Sequence, residues 1–221
     1  MFLRTVALAS AAVLAAGAAT PALAAHTNMD QKMIMEKDIP ASFGTPTSRD
    51  FTDQVIGKVI GICSDASGQT LVSVPAPVKQ YVVDIETKNK KTYTSISQRV
   101  YKFDTKQQAT DAFDDLFNNL SKCNGTTTMQ QGTPDLTQTV TTGSYPGGEL
   151  ADFWVNVAGT WTGGQECKKP CRTTLQAVYV PADDTITETV AYVNGKGRLT
   201  PKQRNDLADL AMTLAERWSS S

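Results

Sequence analysis

Four cysteines and one histidine bound the chemistry open to this 221-residue chain. Cys167 and Cys171 are separated by three residues in ECKKPC, a spacing that suits a redox couple, half of a metal site or a structural clasp. Redox couples place C-x-x-C at a helix N-terminus, where the dipole stabilises the thiolate. This pair has one residue too many and runs into TTLQAVYVP, a strand pattern. A closed zinc site needs four thiolate or imidazole ligands, and the sole histidine is His26, near the N-terminus, so zinc would consume all four cysteines at poor spacing. ECKKPC therefore reads as a disulfide clasp.

Four cysteines allow three pairings, and spacing alone selects none. Proximity favours Cys63 with Cys123 and Cys167 with Cys171. In the chain-entropy account the short loop contributes about 2 kcal/mol and the long one about 4 kcal/mol.

Other catalytic constellations are poorly supplied. A Ser-His-Asp or Cys-His arrangement requires a histidine within the folded body. Paired carboxylates can perform acid-base work, and Asp114 with Asp115 and Asp183 with Asp184 are the candidates for an exported hydrolase. Each pair is adjacent in sequence, the first on a helix and the second in a turn. No enzyme activity and no cofactor or metal is expected on these grounds.

Which elements would position a site? Residues 1–24 form an apolar, Ala-rich leader with Arg4 near its start and Ala22 and Ala24 ahead of Ala25, the pattern of a cleaved secretory signal. The apolar run is shorter than the roughly 20 residues of a membrane span. With no cysteine near the cleavage point, the mature chain is expected to be secreted without a membrane anchor. Residues 25–50 read as a polar N-terminal segment and 51–221 as one α+β domain. The exported part is slightly acidic, and its only dense basic run, KNKK at 88–91, lies between two strand patterns. Nucleic acid is thus excluded as a partner, because phosphate-gripping proteins concentrate Lys and Arg on one face.

TLVSV, QYVVDIE and TYTSISQRVYKF alternate apolar and polar residues as strands do. The period then changes. In DTKQQATDAFDDLFNNLSKC, residues Ala109, Ala112, Phe113, Leu116, Phe117 and Leu120 share one helical face, with Asp104 or Thr105 as the cap. After the strand-like DLTQTVTTG, three patterns follow as a meander: ADFWVNVAGTWTG, CRTTLQAVYVP and TITETVAYVNG. The clasp occupies the first turn and PADD the second. LTPKQRNDLADLAMTLAERW closes the chain with Thr200 as N-cap, Pro201 at the first helical position and Gln203 completing a capping box. The expected fold is α+β: an antiparallel sheet with two main amphipathic helices packed on one face, in a single disulfide-stapled domain.

The binding candidates are aromatic. Alternation puts Phe153, Val155 and Val157 on one strand face and Trp154, Asn156 and Ala158 on the other. Trp154 and Trp161 are expected to line a cleft with Arg172 nearby and Tyr145 at the adjoining Gly-rich loop. Lys196 and Arg198, ahead of the last helix, form a candidate anion site, beside the plainer reading of a basic connection.

MEKDIPASFG, the IC at 62–63 and TSISQRVYKFDTKQQATDAFDDLFNNLSKC together resemble the extracellular sensor domain of actinobacterial receptor-type Ser/Thr kinases of the PknH type. The resemblance spans roughly residues 33–218. It implies an α+β domain with two disulfides, a cleft for an extracellular ligand and no established catalytic residues. The family's first bridge maps onto Cys63 and Cys123, whereas its later cysteines lie farther apart than Cys167 and Cys171. With no kinase domain in the sequence, signalling would pass through another protein. The expected function is a secreted, non-catalytic, sensor-like domain that binds a small molecule, a cell-wall fragment or a partner protein. The alternatives are the carboxylate hydrolase and a structural or inhibitory protein acting by contact.

Overall fold

The computed structural model describes residues 28–54, 60–65, 69–74, 77, 79–89, 92–129, 135–145, 152–162, 171–194 and 198–219. The leader at 1–24, Cys167 and Lys196 lie outside the described residues. In chain order the strands are β1 (Thr45–Gln54), β2 (Ile60–Ser64), β3 (Thr70–Val74), β4 (Lys79–Asn89) and β5 (Thr92–Lys102). They continue with β6 (Gly125–Met129), β7 (Asp135–Gly143), β8 (Phe153–Thr162), β9 (Cys171–Ala182) and β10 (Thr185–Asn194). Eight of them form one antiparallel sheet in the order β1-β4-β5-β10-β9-β8-β7-β6, and β2 with β3 make a separate hairpin. The expected meander is therefore present, and it returns to pair its last strand with β5.

Two long helices complete the chain, α1 (Lys106–Asn119) and α2 (Pro201–Ser219). Thr105 caps α1, its hydroxyl accepting from the Gln108 N–H at 3.2 Å. The capping box before α2 forms as its sequence dictates: the Gln203 N–H donates to Thr200 Oγ1 at 3.2 Å and the Thr200 N–H to Gln203 Oε1 at 3.1 Å. Both helix starts are thus satisfied locally.

The antiparallel α+β architecture is as expected, but the helices are not gathered on one face. α2 sets Leu207, Leu210, Leu214 and Trp218 against Ile85, Ile96, Val178 and Val193. α1 sets Ala112, Phe113 and Leu116 against Phe153, Ala177, Tyr179 and Ile186. Residues 177 and 178 are neighbours on one strand and must point to opposite faces, so the two helices sandwich the centre of the sheet. Burial agrees: every residue of β10 from Thr185 to Ala191 is buried. The threonines disguise this in the sequence. Thr185 and Thr187 are fully buried yet donate their hydroxyls to Ala182 O (2.6 Å) and Val180 O (3.1 Å), so two of the polar positions on this face are satisfied by the backbone.

The N-terminal segment also belongs to the core. Met33, Ile34 and Phe43 are fully buried beneath α2. Arg217 of α2 donates to Asp38 Oδ2 at 2.9 Å and to Met33 O at 3.2 Å, and Gln203 donates to Ser42 O at 3.0 Å. Strand β1 runs through the boundary expected between 50 and 51.

Cys63 and Cys123 are disulfide-bonded, with Cα atoms 5.7 Å apart. The bridge fixes the β2–β3 hairpin to the 3-10 turn Leu120–Cys123 that ends α1. Cys171 is disulfide-bonded as well, while Cys167, the other half of the expected clasp, lies outside the described residues.

Candidate functional site

On the α2 face, strand register assembles a polar row. Asn156 of β8 sits directly opposite Thr141 of β7 on one side and Gln176 of β9 on the other. One step along, Trp154 faces Gly143 and Val178. These side chains floor a pocket of about 410 Å³ whose far wall is Arg198, Leu199 and Arg204, around the start of α2. Tyr145 completes it.

Each wall has a local cause. A Cβ on Gly143 would lie 2.6 Å from Trp154 Cζ2 and 2.9 Å from Cε2, so the indole rests on the glycine backbone, and a larger residue there would force it away. The Tyr145 N–H donates to Asp152 Oδ1 at 3.1 Å, which holds the chain just past β7 beside the start of β8. The Tyr145 hydroxyl in turn accepts from Gln176 Nε2 at 3.0 Å. That leaves Gln176 Oε1 buried and without a hydrogen-bond partner, on a residue only 2% exposed. An unpaired buried carbonyl costs about 1–3 kcal/mol, which sets Gln176 Oε1 apart from the other polar atoms lining the pocket.

Of the candidate anion site at the helix start, Arg198 is described and Lys196 is not. Thr200 Oγ1 and Thr200 O already accept from the N–H groups of Gln203 and Arg204, so backbone donors contribute little there. The charge comes from side chains, Arg198 and Arg204. Arg204 Nη1 is steadied by Leu199 O at 3.3 Å.

Of the residues expected to bind, Trp154 and Tyr145 meet in this pocket. Arg172 is exposed, pairs with Thr160, and is not part of the lining. Trp161 pairs with Cys171 in the sheet, and its side chain lies outside the described residues. Gln176 and Arg204 were not anticipated; the one signal for the first is an amide interrupting the apolar run of LQAVYV.

The carboxylate pairs take structural positions. Asp114 and Asp115 are exposed on α1. Asp183 turns the β9–β10 hairpin with φ 53, and Asp184 accepts from Lys102 Nζ at 2.5 Å.

A further carboxylate, outside those two pairs, is enclosed by the sheet. Glu188, in the middle of β10, is opposite Arg99 on β5 and Tyr179 on β9. Tyr101 and Tyr179 donate to its two oxygens at 2.6 and 2.9 Å, and Arg99 Nη1 approaches at 3.4 Å. Burial, and then the neighbouring carboxylate, push both phenols well above their usual value. The folded state therefore keeps protons that an unfolded chain gives up near pH 10. Stability is complete below that pH and lost above it, by about 1.4 kcal/mol per pH unit for each tyrosine. Urea unfolding at stepped pH from 9 to 12 is expected to show this decline, with 295 nm phenolate absorbance lagging until the protein unfolds. A flat stability profile would refute the coupling.

Among the described residues no helix is long and apolar enough to cross a membrane. A family model described as the PknH-like extracellular domain matches residues 71–191. Among solved structures, the chain is similar to the extracellular domain of PknH from Mycobacterium tuberculosis, at 13% identity and a TM-score of 0.52, over 85% of this chain and 94% of that one. A search of curated proteins returns no match. The fold and family implied by TSISQRVYKF and the α1 pattern are thereby borne out.

Proposed function

The chain belongs to the PknH-like extracellular domain family, a group of non-catalytic sensing domains, and from that premise we propose that its ligand is a small acidic saccharide of the cell-wall type, bound in the Trp154 pocket. The single observation carrying this reading is the buried, unpartnered Gln176 Oε1 at the pocket floor. A sugar hydroxyl is the donor it lacks. Asn156 and Thr141 in the same cross-strand row supply further hydrogen bonds to vicinal hydroxyls, and Trp154 offers an aromatic surface. Arg198 and Arg204 supply cationic groups for a carboxylate, without which a neutral sugar would leave two arginines unused. The pocket volume, about 410 Å³, suits one or two rings and is within the usual range for small ligands, roughly 300–1,000 Å³.

The test is a thermal-shift and calorimetric titration with N-acetylmuramic acid against neutral N-acetylglucosamine. At 100 times its dissociation constant a ligand adds about 2.7 kcal/mol, which raises Tm by several degrees. Gln176→Leu removes the orphan oxygen, so it is expected to weaken binding at least tenfold while leaving unfolding free energy within about 1 kcal/mol of the parent. Equal binding of acidic and neutral sugars, or binding indifferent to Gln176→Leu, would sink the assignment.

A further inference from the structure

The opposite face of the sheet holds a second pocket of about 310 Å³ beside the β2–β3 hairpin. Its floor is Val155, Val157, Leu175 and Ala177, with Ile62 of β2 in its wall. Leu175 and Ala177 flank Gln176 on β9 and so point away from the Trp154 pocket. The two cavities are separate sites with one strand layer between them.

Glu188 and Arg99 also line this pocket, and they are unequally exposed: the glutamate side chain is 6% accessible and the arginine 42%. Both carboxylate oxygens of Glu188 already accept short phenol hydrogen bonds. Arg99 reaches it with Nη1 alone, at 3.4 Å to either oxygen. A cationic ligand would meet a carboxylate already occupied. An anionic one would meet a guanidinium whose fork has donors left to give. Beyond it, the four floor side chains are hydrocarbon, with Gln138, Thr173 and Tyr192 also in the lining.

We propose that this pocket binds a straight-chain monocarboxylate, its carboxylate on Arg99 and its alkyl chain along Val155, Val157 and Leu175 beside Ile62. At about 30 Å³ per water-sized group, the cavity holds a chain of roughly ten such groups, which makes the ligand a medium-chain acid. Ile62 precedes Cys63, so the disulfide to Cys123 holds this wall in place.

Calorimetric titration of the disulfide-bonded protein with the sodium salts of the six- to sixteen-carbon acids reads the pocket directly. Affinity is expected to rise about fourfold per methylene, level off near ten carbons, and fall at least tenfold when decanoate is replaced by decanol. Val157 is partly exposed, so Val157→Trp fills the cavity from its floor and is expected to abolish binding. Arg99→Met is expected to erase the preference for acid over alcohol. The chain-length series on the unaltered protein stands whether or not either variant folds. Absence of saturable binding, an affinity that keeps rising to sixteen carbons, equal affinity for acid and alcohol, or a folded Val157→Trp protein that binds as the parent does would each overturn the proposal. So would sedimentation with phosphatidylcholine vesicles in place of free-acid binding, which would assign the pocket to a membrane-held acyl chain.

Discussion

Replacing Cys63 and Cys123 together by alanine is expected to cost about 4 kcal/mol and to lower Tm by roughly 8–16 °C. The bridge closes a loop of 60 residues, and the unfolded-chain entropy it removes grows with the logarithm of that length. The hairpin it anchors has few other ties to the domain: Ile60, Val72 and Val74 pack against α1 and its terminal turn, but β2 and β3 share no strand pairing with the main sheet. Urea unfolding of the oxidised parent and the double variant would measure the difference. The denaturant slope is expected to steepen in the variant, since its unfolded state exposes more surface. A loss under about 1 kcal/mol would mean that the unbridged chain retains the same restriction by other means.

Glu188→Leu is expected to cost about 3–5 kcal/mol. The substitution strands two buried hydroxyls, on Tyr101 and Tyr179, and leaves Arg99 without its opposing charge. The penalty arises from the abandoned partners, not from the strength of the pair itself. A triple variant, Glu188→Leu with Tyr101→Phe and Tyr179→Phe, is therefore expected to recover more than half of the loss, because the orphan donors leave with their acceptor. Glu188→Gln, which keeps one acceptor oxygen, should fall between. Equilibrium unfolding of the set gives the coupling directly; additive losses would show that the three side chains do not act as a network.

The sequence was most readable where local rules decide. LTPKQ announces the start of α2, and the observed reciprocal bonds between Thr200 and Gln203 are those a capping box requires. The apolar spacing of α1 and the alternation of β8 to β10 were equally plain. What local rules do not contain is which face of the sheet an apolar stripe will choose. In β10 the threonines at 185, 187 and 189 lie on the α2 side and Ile186 and Val190 on the α1 side, and only strand pairing shows that both sides are covered. The same holds for the sites. Trp154 and Tyr145 stood out by type, whereas Gln176 acquires meaning only when register sets it beside Asn156 and Tyr145. Glu188 shares a strand face with Ile186 and Val190, and nothing local to TITETV supplies its partners, which come from β5 and β9. The segment before β1 reads as polar because Met33, Ile34 and Phe43 are scattered among polar neighbours, yet those three insert into the core, and Asp38 and Arg49, themselves mostly shielded, pair with Arg217 and Asp30.

The sheet order has a consequence in time. β10, the last strand in chain order, lies fourth of the eight and joins β5 to β9 in the interior of the sheet. A growing chain can complete β1, β4, β5 and α1 early, and the Cys63–Cys123 loop closes just after α1, before β6. Until β10 arrives, however, β5 presents an open row of backbone donors and acceptors, and the α1 and α2 cores lack the strands they share. Such long-range closure folds slowly. A nascent or clipped chain ending before β9 would therefore expose a bare strand at what becomes the middle of the sheet, the state in which this domain is most open to pairing with copies of itself.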